Sequence, residues 1–288
     1  MTALLLPLIA SIIQPLGFLL IKKGTDKPLQ ALYAALITNI FFGLFSFPFL
    51  VITPKSGWFL PSLAALLSDL GQLLLFLSVI GSDVSVITPV MGTKVLFIAL
   101  LDWFFASHKF DPKLALSIFF SILGFFLLNK PTSKKILLNS VENNKGLFFA
   151  VGCSLLFACS DLIIQKASHE PFLPFLLRLY VLCAVFSLPF LSFFSLFWKQ
   201  PSFFPIPLIS GSLIQGFQGL IVALGILFSA NAAQTNILYN LRGIWSVLIV
   251  WTLGFLFKTE DSVQQKGVFF NRVVAALSFL ISAVFALL

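Results

Sequence analysis

The chain has 288 residues, of which 59% are hydrophobic and 10% charged. A soluble domain carries about 25% charged residues, so a water-solvated fold of this length cannot hide so much apolar surface, and lipid must be part of its solvent. The net charge of +8 does not argue for nucleic acid, because most lysines fall in short loops between apolar runs, where they orient the spans.

A crossing of the hydrocarbon core needs about 20 largely apolar residues. In chain order the qualifying stretches are 2–21, 30–53, 58–80, 84–106, 114–130, 146–166, 172–197, 203–228, 232–257 and 267–288. The first is entered directly from Met1, Thr2 and Ala3 and ends at Lys22 and Lys23. A cleaved signal would want a basic start and a small-x-small site, so this run is read as the first span. Loops are short and polar. The longest, 131–145, separates a first half (1–130) from a second (146–288). Only helices and closed barrels satisfy their backbone in lipid, and these runs are too long for barrel strands. The expected class is all-α integral membrane, with ten transmembrane helices.

The halves repeat. A shift of 143 aligns Ser11 with Ser154, Lys23 with Lys166 and Pro28 with Pro171. From the third span the shift becomes 148 and pairs Gly71 with Gly219, Lys94 with Arg242 and Trp103 with Trp251. Five spans per copy place the copies in opposite orientations, which predicts two inverted five-helix repeats with a solute site near the midplane between them. The odd-numbered loops hold Lys22, Lys23, Lys27, Lys130, Lys134, Lys135, Lys145, Lys199, Lys258 and Lys266. The even-numbered loops hold only Lys55, Lys109, Lys113 and Lys166. That asymmetry favours both termini outside the cytoplasm.

Lys94 and Arg242 lie near the middle of spans 4 and 9, where a cation costs roughly 2.5–3.5 kcal/mol on insertion scales. One reading has both facing a wet cavity and binding an anion, Arg242 as a bidentate fork and Lys94 as a point charge. The other is an internal ion pair that fixes packing, with Asp69 as the obvious partner. In span 9, Asn231, Thr235, Tyr239, Arg242 and Ser246 recur every 3 or 4 residues and share one helical face. The matching stripe on span 4, from Asp83 to Ile98, is less polar. Asp69 and Asp161 are candidates for binding a coupling proton, for holding a substrate ammonium, or for salt bridges to Lys94, Arg242 or Arg178. Gln14, Asn39, Gln72, Gln215 and Gln218 are polar at cavity depth, although each alone is more often a helix–helix hydrogen bond. Arg178, near the start of span 7, is placed to reach the headgroups. Cys153, Cys159 and Cys183 read as small apolar residues. Both histidines fall in loops, and no metal spacing, P-loop or nucleophile constellation is present, so neither an enzyme nor a cofactor is expected. Spans 5 and 10 have few polar residues at depth and are expected at the periphery.

Ten short-looped spans, the five-plus-five repeat and the segment Ser82, Asp83, Val84, Ser85, Val86, Ile87, Thr88, Pro89, Val90 leading into span 4 resemble the drug/metabolite transporter superfamily, in particular its EamA-like members. The resemblance covers essentially the whole chain and is one of architecture more than of signature. It implies a cavity lined by helices 1–4 and 6–9, with helices 5 and 10 outside. It implies transport of a metabolite, and in relatives that carry phosphorylated sugars basic residues stand where Lys94 and Arg242 stand. It also implies both termini in the cytoplasm, against the loop charges, and an acidic residue late in helix 4 that is here Asp102. The leading expectation is a secondary transporter of a small anionic or zwitterionic metabolite. A proton-coupled exporter of amino acids or amphiphilic compounds is the alternative, and a non-transporting lipid-handling factor or scaffold is a third class. Expected partners are a small-molecule solute, the lipid bilayer, and a coupling proton or exchanged solute. The expected setting is a bacterial inner (plasma) membrane, with the protein a monomer or homodimer.

Overall fold

The computed structural model describes residues 2–24, 28–50, 57–81, 90–106, 112–128, 140–169, 172–189 and 205–257, together with 274–275, 277–278, 280–282 and 284–285. Asp83 and the rest of Ser82 through Pro89 lie outside the described residues, as do 131–139 of the connecting loop and 267–273 of the tenth run. So do the loop lysines Lys27, Lys55, Lys109, Lys130, Lys134, Lys135, Lys199, Lys258 and Lys266, on which the orientation argument rests.

Among the described residues every regular element is a helix and no strand occurs. In order they are α1 (Thr2–Lys23), α2 (Pro28–Leu50), α3 (Phe59–Gly81), α4 (Lys94–Ala106), α5 (Pro112–Leu128), α6 (Ser140–Lys166), α7 (Phe172–Ser187), α8 (Ile206–Ser229), α9 (Ala232–Tyr239) and α10 (Arg242–Phe257). The described residues within 274–285 are also helical. Two boundaries differ from expectation. α6 begins at Ser140, inside the loop expected at 131–145. The ninth run is two helices, α9 and α10, broken by a turn at Asn240 and Leu241.

Four stretches, Leu4–Lys23, Phe59–Ser78, Gly146–Lys166 and Ile206–Ser229, are long and apolar enough to cross a membrane. Tyr33–Pro48, Ala115–Gly124 and Leu173–Ser187 are shorter apolar helices. Polarity is reversed relative to a soluble protein. Large apolar side chains stand outside, Phe59 77% and Ile206 81% exposed, while Lys94, Asp161, Arg178 and Arg242 are buried.

Three helix pairs build the interior: α1 packs on α8, α3 on α6 and α2 on α7. Small residues and hydroxyls set these contacts, as expected where lipid supplies no hydrophobic drive between helices. In the α1–α8 pair, a Cβ added at Gly211 would stand 2.8 Å from the Gly17 carbonyl oxygen and the Ile21 amide nitrogen. Only glycine permits that approach of two backbones. The Gln215 amide in α8 donates to the Gln14 carbonyl in α1 at 2.9 Å. The α3–α6 pair joins Ser68 to Ser160 at 2.8 Å. In the α2–α7 pair the rings of Phe42 and Tyr180 stack at 4.6 Å. At the side, Ser117 of α5 donates to the Ser282 carbonyl at 2.6 Å and Ser282 returns a bond to the Ser117 carbonyl at 2.7 Å.

Gly211→Ala is therefore expected to destabilise the fold by roughly 1–3 kcal/mol, the usual range for overpacking. The half-buried Ser210, whose hydroxyl bonds only to Ile206 and Pro207 of its own helix, should tolerate Ala. Thermal melting of the purified protein in detergent compares the two; an unchanged melting temperature for Gly211→Ala would contradict the close approach.

Candidate functional site

A cavity of about 140 Å³ lies between the three helix pairs, and every helix from α1 to α10 except α5 contributes to its lining. Both cations singled out from the sequence line it, and each stands at a break in its helix. Lys94 is the first residue of α4, directly after a 3-10 turn over Met91–Thr93. Arg242 is the first residue of α10, directly after the Asn240–Leu241 turn. The Asn240 amide steadies the two breaks against each other, donating to the Gly92 carbonyl at 3.4 Å and to Ser121 of α5 at 3.0 Å. Irregular backbone of this kind is tolerated in an apolar surrounding only where it is buried in protein or lines a cavity.

The two cations have different surroundings. Lys94 is 6% exposed, and its Nζ lies 2.5 Å from Oδ2 of Asp161. The same oxygen accepts a bond from the Asn236 amide at 2.6 Å, and the Phe157 ring stands 5.4 Å from Nζ. Arg242 is 1% exposed, and its Nη1 donates to the Gln14 side-chain oxygen at 3.1 Å. The Tyr239 ring lies 4.3 Å from the guanidinium carbon, a cation–π contact that closes one side. Nε and Nη2 of Arg242 are buried and meet no hydrogen-bond partner. Buried donors are nearly always satisfied in proteins, so this edge is an exception that asks for a reason.

The ion-pair partner of Lys94 is Asp161 rather than Asp69. The cavity takes Ser68 and Gln72, one turn apart on α3; Asp69, one residue round the helix, turns away from that face. It lines a second pocket of about 440 Å³ with Leu66, Leu70, Leu73 and Val185, where its Oδ1 accepts from Asn39 at 3.0 Å. Its Oδ2 is buried without a hydrogen-bond partner. Asn39 also donates to Ser187 at 2.8 Å and borders both pockets.

Of the residues expected in the site, Gln14, Asn39, Gln72, Lys94, Asp161, Gln218, Tyr239 and Arg242 line the cavity. The polar stripe drawn through the ninth run lines the cavity only in part, at Tyr239 and Arg242. Asn231 is exposed and caps α9, accepting from the Gln234 amide at 2.9 Å. Thr235 bonds to Ser229 at 2.9 Å, and Ser246 donates to the Gly243 carbonyl of its own helix at 2.8 Å. Thr235 and Ser246 each stand one turn from a lining residue of the same helix, Tyr239 and Arg242, so helical spacing alone does not put a side chain on the cavity. Arg178 does not reach the surface. It is 2% exposed, with its guanidinium 5.5 Å from the Trp58 ring. Cys153 and Cys183 are buried, and all three cysteines are free.

The sequence reading passed over Asn236, the second partner of Asp161, and the cavity residues Thr38, Ser68 and Tyr180. Asn236 lies in α9 and Asn240 in the turn just after it, 4 residues on; the same helix carries Ala232, whose amide donates to the Gln165 side chain of α6 at 2.7 Å. Those polar residues form a face of their own, and it was legible.

Asp161→Ala leaves Lys94 buried without its counter-charge and is expected to cost about 3–5 kcal/mol, as broken buried pairs do. Replacing both, Lys94→Met with Asp161→Leu, is expected to be less destabilising than Asp161→Ala alone. Melting of the single and double variants in detergent checks this; a double variant as unstable as the single would contradict it.

No family model matches this sequence, and no curated protein does. Among solved structures, one described as "Crystal structure of protein" superposes with a TM-score of 0.69, covering 100% of this chain and 98% of that one at 13% identity. At that identity the likeness shows a shared fold and nothing about activity.

Proposed function

We propose that the chain is a secondary transporter that carries a small organic anion or zwitterion, bearing a carboxylate or phosphate, by alternating access. In this reading it sits in a bacterial inner membrane as ten helices in two inverted five-helix repeats, as its resemblance to EamA-like drug/metabolite transporters implies. The observation that carries the proposal is the buried, unpartnered Nε and Nη2 edge of Arg242 on a cavity built from both halves. In an apolar surrounding such an edge is costly unless something visits it.

The packing supports the repeat. Exchanging the halves turns the α1–α8 pair into the α6–α3 pair and returns the α2–α7 pair to itself. The bonded residues Gly92 and Asn240 are 148 positions apart, the same shift that relates Lys94 to Arg242. Two equivalent positions in contact is what a pseudo-twofold axis through the site would give. The helix breaks at both cations also fit the discontinuous helices that frame midplane sites in transporters. A proton-coupled exporter is the second reading, favoured by the unbonded oxygen of Asp69 in its apolar pocket.

Efflux of preloaded carboxylates and phosphorylated metabolites from proteoliposomes tests both readings. Arg242→Gln is expected to lower the rate for the carried solute by more than about tenfold, equivalent to 1.4 kcal/mol, while remaining monodisperse in detergent. Undiminished transport of every anion by Arg242→Gln would refute the anion reading. A rate that follows an imposed pH gradient and is lost in Asp69→Asn would favour the exporter.

A further inference from the structure

The cations at this cavity are not equivalent, and their difference narrows the solute. Lys94 is already matched by Asp161 at 2.5 Å, and the carboxylate is further held by Asn236. Among the described residues Arg242 has only neutral partners, the side-chain oxygen of Gln14 and the Tyr239 side chain. Its two unpartnered donors, Nε and Nη2, lie side by side along one edge of the guanidinium plane. That spacing fits the two oxygens of one carboxylate. Among the described residues the charged side chains lining the cavity are Lys94, Asp161 and Arg242, which leaves one positive charge without a counter-charge among them.

Charge balance then selects the ligand. A monoanion on Arg242 neutralises the site, whereas a dianion leaves a buried negative charge that nothing answers. The remaining lining is largely apolar and aromatic, including Leu75, Phe76, Phe157, Ile164 and Val222. The free space of about 140 Å³ is close to the roughly 150 Å³ that accommodates benzene in an engineered protein cavity. Gly219 borders it with no atom within 4 Å of where its Cβ would be, so the space continues past that position.

We infer that the site prefers a monocarboxylate on a compact apolar body, of about the size of benzoate, over a phosphate dianion of the same body. This rests on the proposed binding of an anion at Arg242 and adds the class of anion. It also assigns Asp161 the role of setting that class by holding the charge of Lys94.

The test uses the purified full-length chain in detergent, titrated with benzoate, phenyl phosphate and benzyl alcohol. At pH 8 a phosphate monoester carries close to two charges. Benzoate is expected to bind at least about tenfold more tightly than phenyl phosphate, a gap of 1.4 kcal/mol, with benzyl alcohol weaker than both. Asp161→Asn, which releases the charge of Lys94, is expected to shift the benzoate-to-phenyl-phosphate ratio toward the phosphate by a similar factor. Phenyl phosphate binding the native chain as tightly as benzoate would overturn the inference and leave the anion reading standing. An unchanged ratio in a folded Asp161→Asn would overturn the role given to Asp161; if that variant does not fold, the native ratio alone decides. Binding of neither anion, or of benzyl alcohol as well as benzoate, would remove the anion reading and the inference together.

Discussion

The ion pair between Lys94 and Asp161 governs how the centre of this molecule is built. A buried ammonium is tolerable only beside a counter-charge, and that requirement ties α4 to α6 across the two halves of the chain. Asn236 extends the tie to α9, so one carboxylate joins three helices around the cavity. Once that charge is matched, the other cation of the cavity stands out. Arg242 is held by Gln14 and Tyr239, neither of them charged, and keeps two donors free. The two cations thus differ in counter-charge, Lys94 matched by Asp161 and Arg242 by none among the described residues.

The surrounding packing follows from the same surroundings. With apolar side chains outside, helices gain little from meeting each other except by close approach and hydrogen bonding. Gly211 against the α1 backbone and the serine pairs Ser68–Ser160 and Ser117–Ser282 are contacts of this type. At the 240–241 break the backbone turns through short-range bonds, Leu241 to the Leu238 carbonyl and Gly243 to the Asn240 carbonyl, and the Asn240 side chain adds a bond to the Gly92 carbonyl across the interface. The site is therefore held by interior hydrogen bonds, while among the described residues α5 stays off the cavity lining and packs behind it, Ile118 against Val95 and Ile237 and Ser121 bonded to Asn240.

Much of this was legible in the sequence because apolar length and rare charges are strong signals. The helical runs, and the place of Lys94, Arg242, Gln14, Gln72 and Gln218 on an interior cavity, followed from composition and spacing. What failed did so for a physical reason. Periodicity gives a face but not what that face meets: Thr235 and Ser246 stand one turn from Tyr239 and Arg242, yet their hydroxyls bond to Ser229 and to the Gly243 carbonyl, and Asn231 caps α9. A shift of one residue rotates a helical position by about 100°, so mid-span depth alone could not separate Asp69 from its neighbour Ser68. The choice of Asp161 as partner is a matter of which helices pack together, and no local pattern encodes it.

The central claim is that the free edge of Arg242 receives the anionic group of a solute inside this cavity. Diffraction from the full chain co-crystallised with 4-iodobenzoate tests it directly, since iodine gives an anomalous signal that locates the ring. The account predicts iodine density in the cavity near Phe76 and Phe157, with the carboxylate oxygens within hydrogen-bond distance of Nε and Nη2. Iodine found only elsewhere, with those two nitrogens bonded to protein groups, would contradict it.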